Sequence, residues 1–239
     1  MSARSLAEWL DQHGMENFGA QEGTRGFLAL PWYIEDLRRY AALADPSERV
    51  MVLPPRDERT PTTEADPWGL HQDVWAFRRV LELQPAWVLD VGSDAWLVAL
   101  LAQFVPVTAV DVRPLDVSLP GLTPVRGDVT GLAFADASAP AVMCLSTIEH
   151  IGLGRYGDAI DPQGSKRACR ELQRVLAPGG HLLLSVPIAD EPVTLFNAHR
   201  LLTTAQVRGW LDRCELADEG RIVGHDLTVW CAEFVKGEA

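Results

Sequence analysis

From Trp87 onward, short apolar runs alternate with stretches whose apolar residues recur at helical spacing, and few architectures accommodate that alternation. A run that is apolar at consecutive positions belongs to a strand buried on both faces. Strands interleaved with helices build a parallel sheet between two helical layers. The pattern predicts strands over 87–91, 107–112, 123–126, 141–146 and 181–186, and helices over 95–104, 166–176 and 204–213. Pro178-Gly179-Gly180 stops the second of these helices. The closing segments 221–223 and 228–235 are expected to pair as a hairpin, so that the sheet ends antiparallel.

Upstream, residues 5–12 and 32–43 carry helical spacing, with Pro31 suited to a first helical position. Residues 53–67, rich in Pro, Asp, Glu, Arg and Thr, predict an extended loop that covers a site. Residues 68–83 predict a further helix that ends before Pro85. The chain of 239 residues suits a single core, with residues 1–70 as an N-terminal helical and lid extension and 71–239 as the α/β domain.

Charge narrows the partners. Asp and Glu number 33 against 21 Lys and Arg, a net charge of -12 that opposes a phosphate backbone or an anionic membrane surface. No nucleic-acid or membrane partner is expected, and the basic stretch 165–170 reads as the solvated face of a helix. No apolar run reaches the roughly eighteen residues of a membrane span and no signal pattern opens the chain, so a cytoplasmic location is expected. Cys144, Cys169, Cys214 and Cys231 never form C-x-x-C and are expected as buried free thiols. No metal-ligand spacing is visible, and the sequence leaves the oligomeric state open.

In an open α/β sheet, ligands bind outside the carboxyl ends of the strands. At the first of these ends stands Asp90-Val91-Gly92-Ser93-Asp94, where Gly92 lets the backbone approach a ligand. The turn has one of the several glycines that a pyrophosphate needs, which disfavours a nicotinamide cofactor. The ammonium and sulfonium of S-adenosyl-L-methionine suit the acidic end better. Asp111, about twenty residues on, is placed to accept both ribose hydroxyls, or else caps the following turn. Asp128, after the third strand, is a candidate for the adenine amino group, or a simple Gly-Asp turn.

The run VLDVGSD, TAVDV, RGDV, CLSTIEHIG and RVLAPGGHLLLSVP, over residues 87–187, resembles the class I S-adenosylmethionine-dependent methyltransferases. The resemblance implies a Rossmann-like, doubly wound, mostly parallel seven-stranded sheet with an antiparallel last strand, plus N-terminal helices. It implies that Asp90, Gly92 and Ser93 face the methionine moiety, Asp111 the ribose, and Asp128 with Val129 the adenine, while Leu145 and Ser146 flank the cofactor. Ser93-Asp94-Ala95 stands where the family commonly has further glycines. The segments HQDVWAFRRVL, EHIGLGRYGD and FNAHR are similar to a poorly characterised branch associated with glycan or sugar methylation.

Methyl transfer is an in-line displacement that positioning and desolvation accelerate, so few catalytic groups are required. A hydroxyl acceptor gains from a general base near neutrality, and His150 and His199 are the candidates. Each also has a structural alternative: the Glu149-His150 pair as scaffold, and His199 bonded to a loop carbonyl. The glycine-rich loop 152–164 is expected to move and to bind the acceptor through Arg155, Tyr156 and Asp158, with His71 on the lid. The function expected is methyl transfer to a small polar molecule, sugar or natural-product-like, with oxygen slightly favoured. The competing classes are a catalytically inactive scaffold of the same fold and, more remotely, a nicotinamide oxidoreductase.

Overall fold

The computed structural model describes residues 16–17, 31–45, 51–52, 60–63, 65–224 and 226–238. The expected helix over 5–12 lies outside them, as does most of the 53–67 loop. The chain divides into two compact units, Met1–Glu64 and Ala65–Ala239. In the first, the predicted helix is present as α1 (Pro31–Leu43), and Glu16–Asn17 pairs in parallel with Met51–Val52.

The second unit opens with α2 (Pro67–Leu83), where Asp66 accepts from the Trp68 amide at 3.0 Å and Pro67 takes the first turn. There follow β1 (Val88–Val91), α3 (Ala95–Leu101), β2 (Val107–Asp111), β3 (Leu122–Arg126) and β4 (Ala139–Leu145). Then come a single 3-10 turn at Ile148–His150, α4 (Gly164–Val175), β5 (Leu176–Ile188), the short hairpin β6 (Val193–Leu195) and β7 (His199–Leu201), α5 (Thr204–Trp210), β8 (Cys214–Val223) and β9 (Thr228–Lys236).

Seven strands form one sheet in the order β8-β9-β5-β4-β1-β2-β3. The pairs β1–β2, β2–β3, β1–β4 and β4–β5 are parallel, and β9 runs antiparallel to both β5 and β8. This is the Rossmann-like sheet expected, with one adjustment. The closing hairpin forms, but its second arm is inserted between β5 and β8, so the last strand is interior and β8 is the edge.

Period-two alternation assigns each strand's side chains to two cores. On β4, Val142 and Cys144 join Leu172, Val207 and Trp230 beneath α4 and α5, while Ala141, Met143 and Leu145 face Ala76, Val80, Leu97 and Leu101 of α2 and α3. Each fully buried leucine among them contributes about 1.5–3 kcal/mol. The sheet's direction of winding reverses between β1 and β4, which makes the crevice outside their carboxyl ends the switch point.

Two local expectations are corrected. Pro178-Gly179-Gly180 neither stops α4, which ends at Val175 with Leu176 already extended, nor precedes β5: Leu176 pairs with Ala139 and the next paired residues are Ala141 and His181, so residues 177–180 bulge out of a longer strand, with Gly179 at φ 69°. Helix α3 stops at Leu101, three residues before the predicted end at 104. Cys144, Cys169 and Cys231 are buried, Cys214 is half-buried, and all four are free thiols. No helix among the described residues is long and apolar enough to cross a membrane.

Candidate active site

Val88 and Asp90 share the α2 side of the sheet, so the carboxylate that ends β1 points into the interior and is 2% exposed. Its Oδ2 accepts from the Ser93 amide at 3.4 Å, and its Oδ1 has no partner. Burial, reinforced by Asp111 and Asp73, outweighs the bonds from Ser93 and pushes its pKa up to about 7. Ser93 explains the departure from a glycine-rich turn: its Oγ accepts from the Leu145 amide at 3.2 Å and so stitches the turn after β1 to the end of β4. Asp94 is consumed as the cap of α3, accepting from the amides of Trp96 and Leu97 at 2.8 and 3.4 Å. Gly92, at φ 70°, is required by the same closure, because a Cβ there would lie 2.7 Å from Thr147 Cγ2.

On the other side of the switch point, Ser146 adopts φ 45°. Its hydroxyl donates to Gln72 Oε1 at 2.8 Å, and the Ser185 hydroxyl donates to the same oxygen at 2.7 Å, so α2 pins the ends of β4 and β5 together. Asp73, the next residue on α2, is raised to about 6 by burial and by Asp94, and its Oδ1 is likewise unpartnered.

Two adjoining cavities of about 250 and 260 Å³ share Gly92, Val110, Asp111 and Arg113. The first is lined by Asp90, Ser93 and Asp94, and the second runs past Asp128, Val129, Ser146 and Thr147 to His150, Tyr156 and Asp158. Asp111 Oδ1 accepts from the Arg113 amide at 2.6 Å, and Asp128 Oδ1 accepts from the amide and hydroxyl of Thr130, both at 2.8 Å. Each of these acids therefore closes its own turn with one oxygen.

His150 Nδ1 lies 2.6 Å from the Ala198 carbonyl, and its Nε2 is 3.9 Å from Glu149 Oε1. Burial lowers the His150 pKa, whereas burial raises that of Glu149 to about 8. Glu149 is 2% exposed and its Oε2 has no partner. The His199 ring meets His150 edge-on at 6.2 Å but lies outside the two cavity linings.

The 152–164 loop folds back on itself. Asp158 accepts from the amides of Gly152, Gly154 and Tyr156 at 2.7, 3.3 and 3.2 Å, and these bonds overcome burial to hold its pKa low. Arg200, 7% exposed, donates to the carbonyls of Ile151 and Asp161 at 2.6 and 3.1 Å and to Ser165 Oγ at 3.0 Å. Gly152 pairs with Asp161, whose carbonyl leaves no room for a Cβ. The Tyr156 ring has the guanidinium of Arg113 at 4.3 Å and that of Arg155 at 5.2 Å.

Most of the residues expected at the site thus converge on one crevice: Asp90, Gly92, Ser93, Asp111, Asp128, Val129, Ser146, His150, Tyr156 and Asp158 line the cavities. Leu145 is buried behind them and holds Ser93, and Arg155 stands outside with its Nη1 on the Ala198 carbonyl at 3.2 Å. His71 is exposed on α2 and does not line either cavity. Two residues that shape the crevice escape the sequence pattern: Arg113, which lines both cavities, and Arg200, which pins the loop. Arg113 is accessible as the second residue after Asp111, whereas nothing local marks Arg200.

A family model described as a Caenorhabditis protein of unknown function, DUF268, matches residues 135–210. No curated protein matches the sequence. Solved structures do match. The 1,6-didemethyltoxoflavin-N1-methyltransferase of Burkholderia thailandensis, with bound S-adenosylhomocysteine, is 19% identical at a TM-score of 0.52, over 75% of this chain and 94% of that one. The magnesium protoporphyrin IX methyltransferase of Synechocystis PCC 6803, also with S-adenosylhomocysteine, is 15% identical at a TM-score of 0.55, over 74% of this chain and 90% of that one. The cyclase SpnF is 15% identical at a TM-score of 0.54, over 69% of this chain and 82% of that one. The chain therefore has the fold of the class I S-adenosylmethionine-dependent methyltransferases.

Proposed function

We propose that this chain binds S-adenosyl-L-methionine along the crevice and transfers its methyl group to a small polar acceptor. The observation that carries the reading is Asp90: a buried carboxyl with one unpartnered oxygen, at the switch point and on the wall of a cavity, calls for a cationic ligand. The cofactor's ammonium is such a group. Asp111 stands at the shared boundary of the two cavities for the ribose, and Asp128 with Val129 stands farther along for the adenine. When bound, the cofactor supplies a methyl on a sulfonium, open to in-line displacement.

The capping of α3 by Asp94 supports the same choice over a dinucleotide. The first amides of that helix, which would meet a pyrophosphate, already face a carboxylate. The bond to Ala198 makes Nδ1 of His150 the donor, so Nε2 carries the lone pair that takes a proton from an acceptor hydroxyl, which favours oxygen. His199 supports the His150 ring, and Tyr156 with Arg113 borders the acceptor, Arg155 lying behind the same ring. Asp158 acts by holding the loop, and a sugar-like acceptor suits a wall of one aromatic ring and several polar groups. The division into an N-terminal lid extension and a catalytic domain belongs to the same proposal, with the boundary expected between residues 70 and 71 moved to Glu64–Ala65, ahead of α2, as does a cytoplasmic location without a nucleic-acid partner.

The SpnF likeness sustains a second reading, since this fold is also that of a protein named as a cyclase. Calorimetric titration with S-adenosyl-L-methionine, S-adenosylhomocysteine and NAD tests the cofactor, and formation of S-adenosylhomocysteine during turnover of an acceptor separates methyl transfer from the second reading. Saturable binding of the first two is expected. Binding of NAD alone, or of none, removes the proposal.

A further inference from the structure

Between Asp94 and Asp111 the chain holds no charged residue, although Asp, Glu, Lys and Arg make up 23% of it. Helix α3 is consequently apolar around its whole circumference, the pattern of a helix enclosed by protein on every side. Its inner face is enclosed, with Leu97, Val98 and Leu101 at 4% exposure or less. Its outer face is open: Trp96 is 79% exposed, Leu100 57% and Phe104, just past its end, 67%.

Helix α2 extends the patch. The rings of Phe77 and Phe104 meet at 5.6 Å, and Asp73 of α2 feels the charge of Asp94, so the two helices run side by side in the same direction. Leu70, Val74 and Leu81 are 53%, 60% and 39% exposed on α2. Together the six side chains present roughly 700 Å² of apolar surface, beyond the few hundred that monomers commonly show and close to the roughly 800 Å² per partner of a stable complex.

We propose that this α2–α3 face is a two-fold interface occupied by a second copy of the same chain. A two-fold axis normal to the face sets the helices of one copy antiparallel to those of the other, which opposes their dipoles. It also sets the capping carboxylates Asp66 and Asp94 against the far end of the face, where Arg78 is paired with Glu82. A face this apolar, uncharged throughout residues 95–110, can serve as its own partner.

Light scattering of the eluting full chain at about 50 µM tests this, since a standard-sized interface should hold a dimer there. A dimer is expected for the unmodified protein. Trp96→Glu and Leu100→Lys, both at exposed positions, are expected to weaken self-association about a hundredfold and yield monomer, with circular dichroism unchanged. Val223→Lys, at a residue 76% exposed on β8, is expected to remain dimeric. A monomeric unmodified chain overturns the proposal, and so does a dimer that survives both substitutions together. A monomer that sediments with phosphatidylcholine vesicles overturns it as well and assigns the face to lipid. None of these outcomes depends on cofactor binding.

Discussion

The Nδ1 of His150 is 2.6 Å from the carbonyl oxygen of Ala198, forty-eight residues away, and a carbonyl can only accept. The ring is therefore held as the Nδ1–H tautomer, with its basic nitrogen on the other side. If that nitrogen serves as general base, His150→Gln should lower kcat by about 10²–10⁴-fold while the cofactor Kd moves less than about threefold. Because burial lowers its pKa, turnover should hold steady on acidification through pH 6.5 and fall only below it. An acid limb at or above the ordinary histidine value speaks against His150.

Asp111→Ala should act on the opposite quantity. Loss of a charge-assisted contact to the ribose is expected to weaken S-adenosylhomocysteine binding by about 10–100-fold in calorimetry, equivalent to about 1.5–3 kcal/mol. Similar binding losses for Asp111→Ala and His150→Gln would contradict the separate roles.

Asp90 links affinity to stability. Its folded pKa, about 7, stands above the ordinary 3.8, so between those values the folded state holds more protons than the unfolded one and stability falls as pH rises. Asp90→Asn should remove that slope and stabilise the ligand-free protein above pH 7 by about 2–4 kcal/mol, seen as a higher Tm. The same change should weaken cofactor binding at least tenfold, by about 1.4 kcal/mol or more. In the unmodified protein, affinity should strengthen as pH rises through about 7, where the carboxylate forms. A destabilised variant that binds normally would refute the assignment.

Arg200 holds the 152–164 loop through two carbonyls and a hydroxyl. Arg200→Met leaves those groups unsatisfied and should destabilise the fold by about 2–4 kcal/mol. Limited trypsin digestion should then cut faster at Arg155 and Arg167. Unchanged cleavage would mean that Asp158 alone suffices to fold the loop.

The interior strands were readable because both faces of β1, β4 and β5 are buried, which writes them as continuous apolar runs. Asp90, Asp111 and Asp128 were readable from their place at strand ends. The first half of β8 was not, since an edge strand such as Cys-Glu-Leu-Ala-Asp-Glu, half-buried at most, carries no clear period. The tethers that shape the crevice were equally hidden. Gln72 meets Ser146 across 74 positions and Arg200 meets Ile151 across 49, and such pairings exist only once the sheet has brought them together.

The insertion of β9 between β5 and β8 also bears on how the protein is made. Residues 228–236 supply an inside strand, so on a ribosome the sheet stays open along one flank of β5 until the very segment synthesised last among the described elements has emerged. A nascent chain halted before that point exposes two unpaired borders, β5 and β8, and is a natural client for chaperones. Lys236, whose Nζ bonds the carbonyls of Gln173, Arg174 and Leu176, then latches the completed strand to the end of α4.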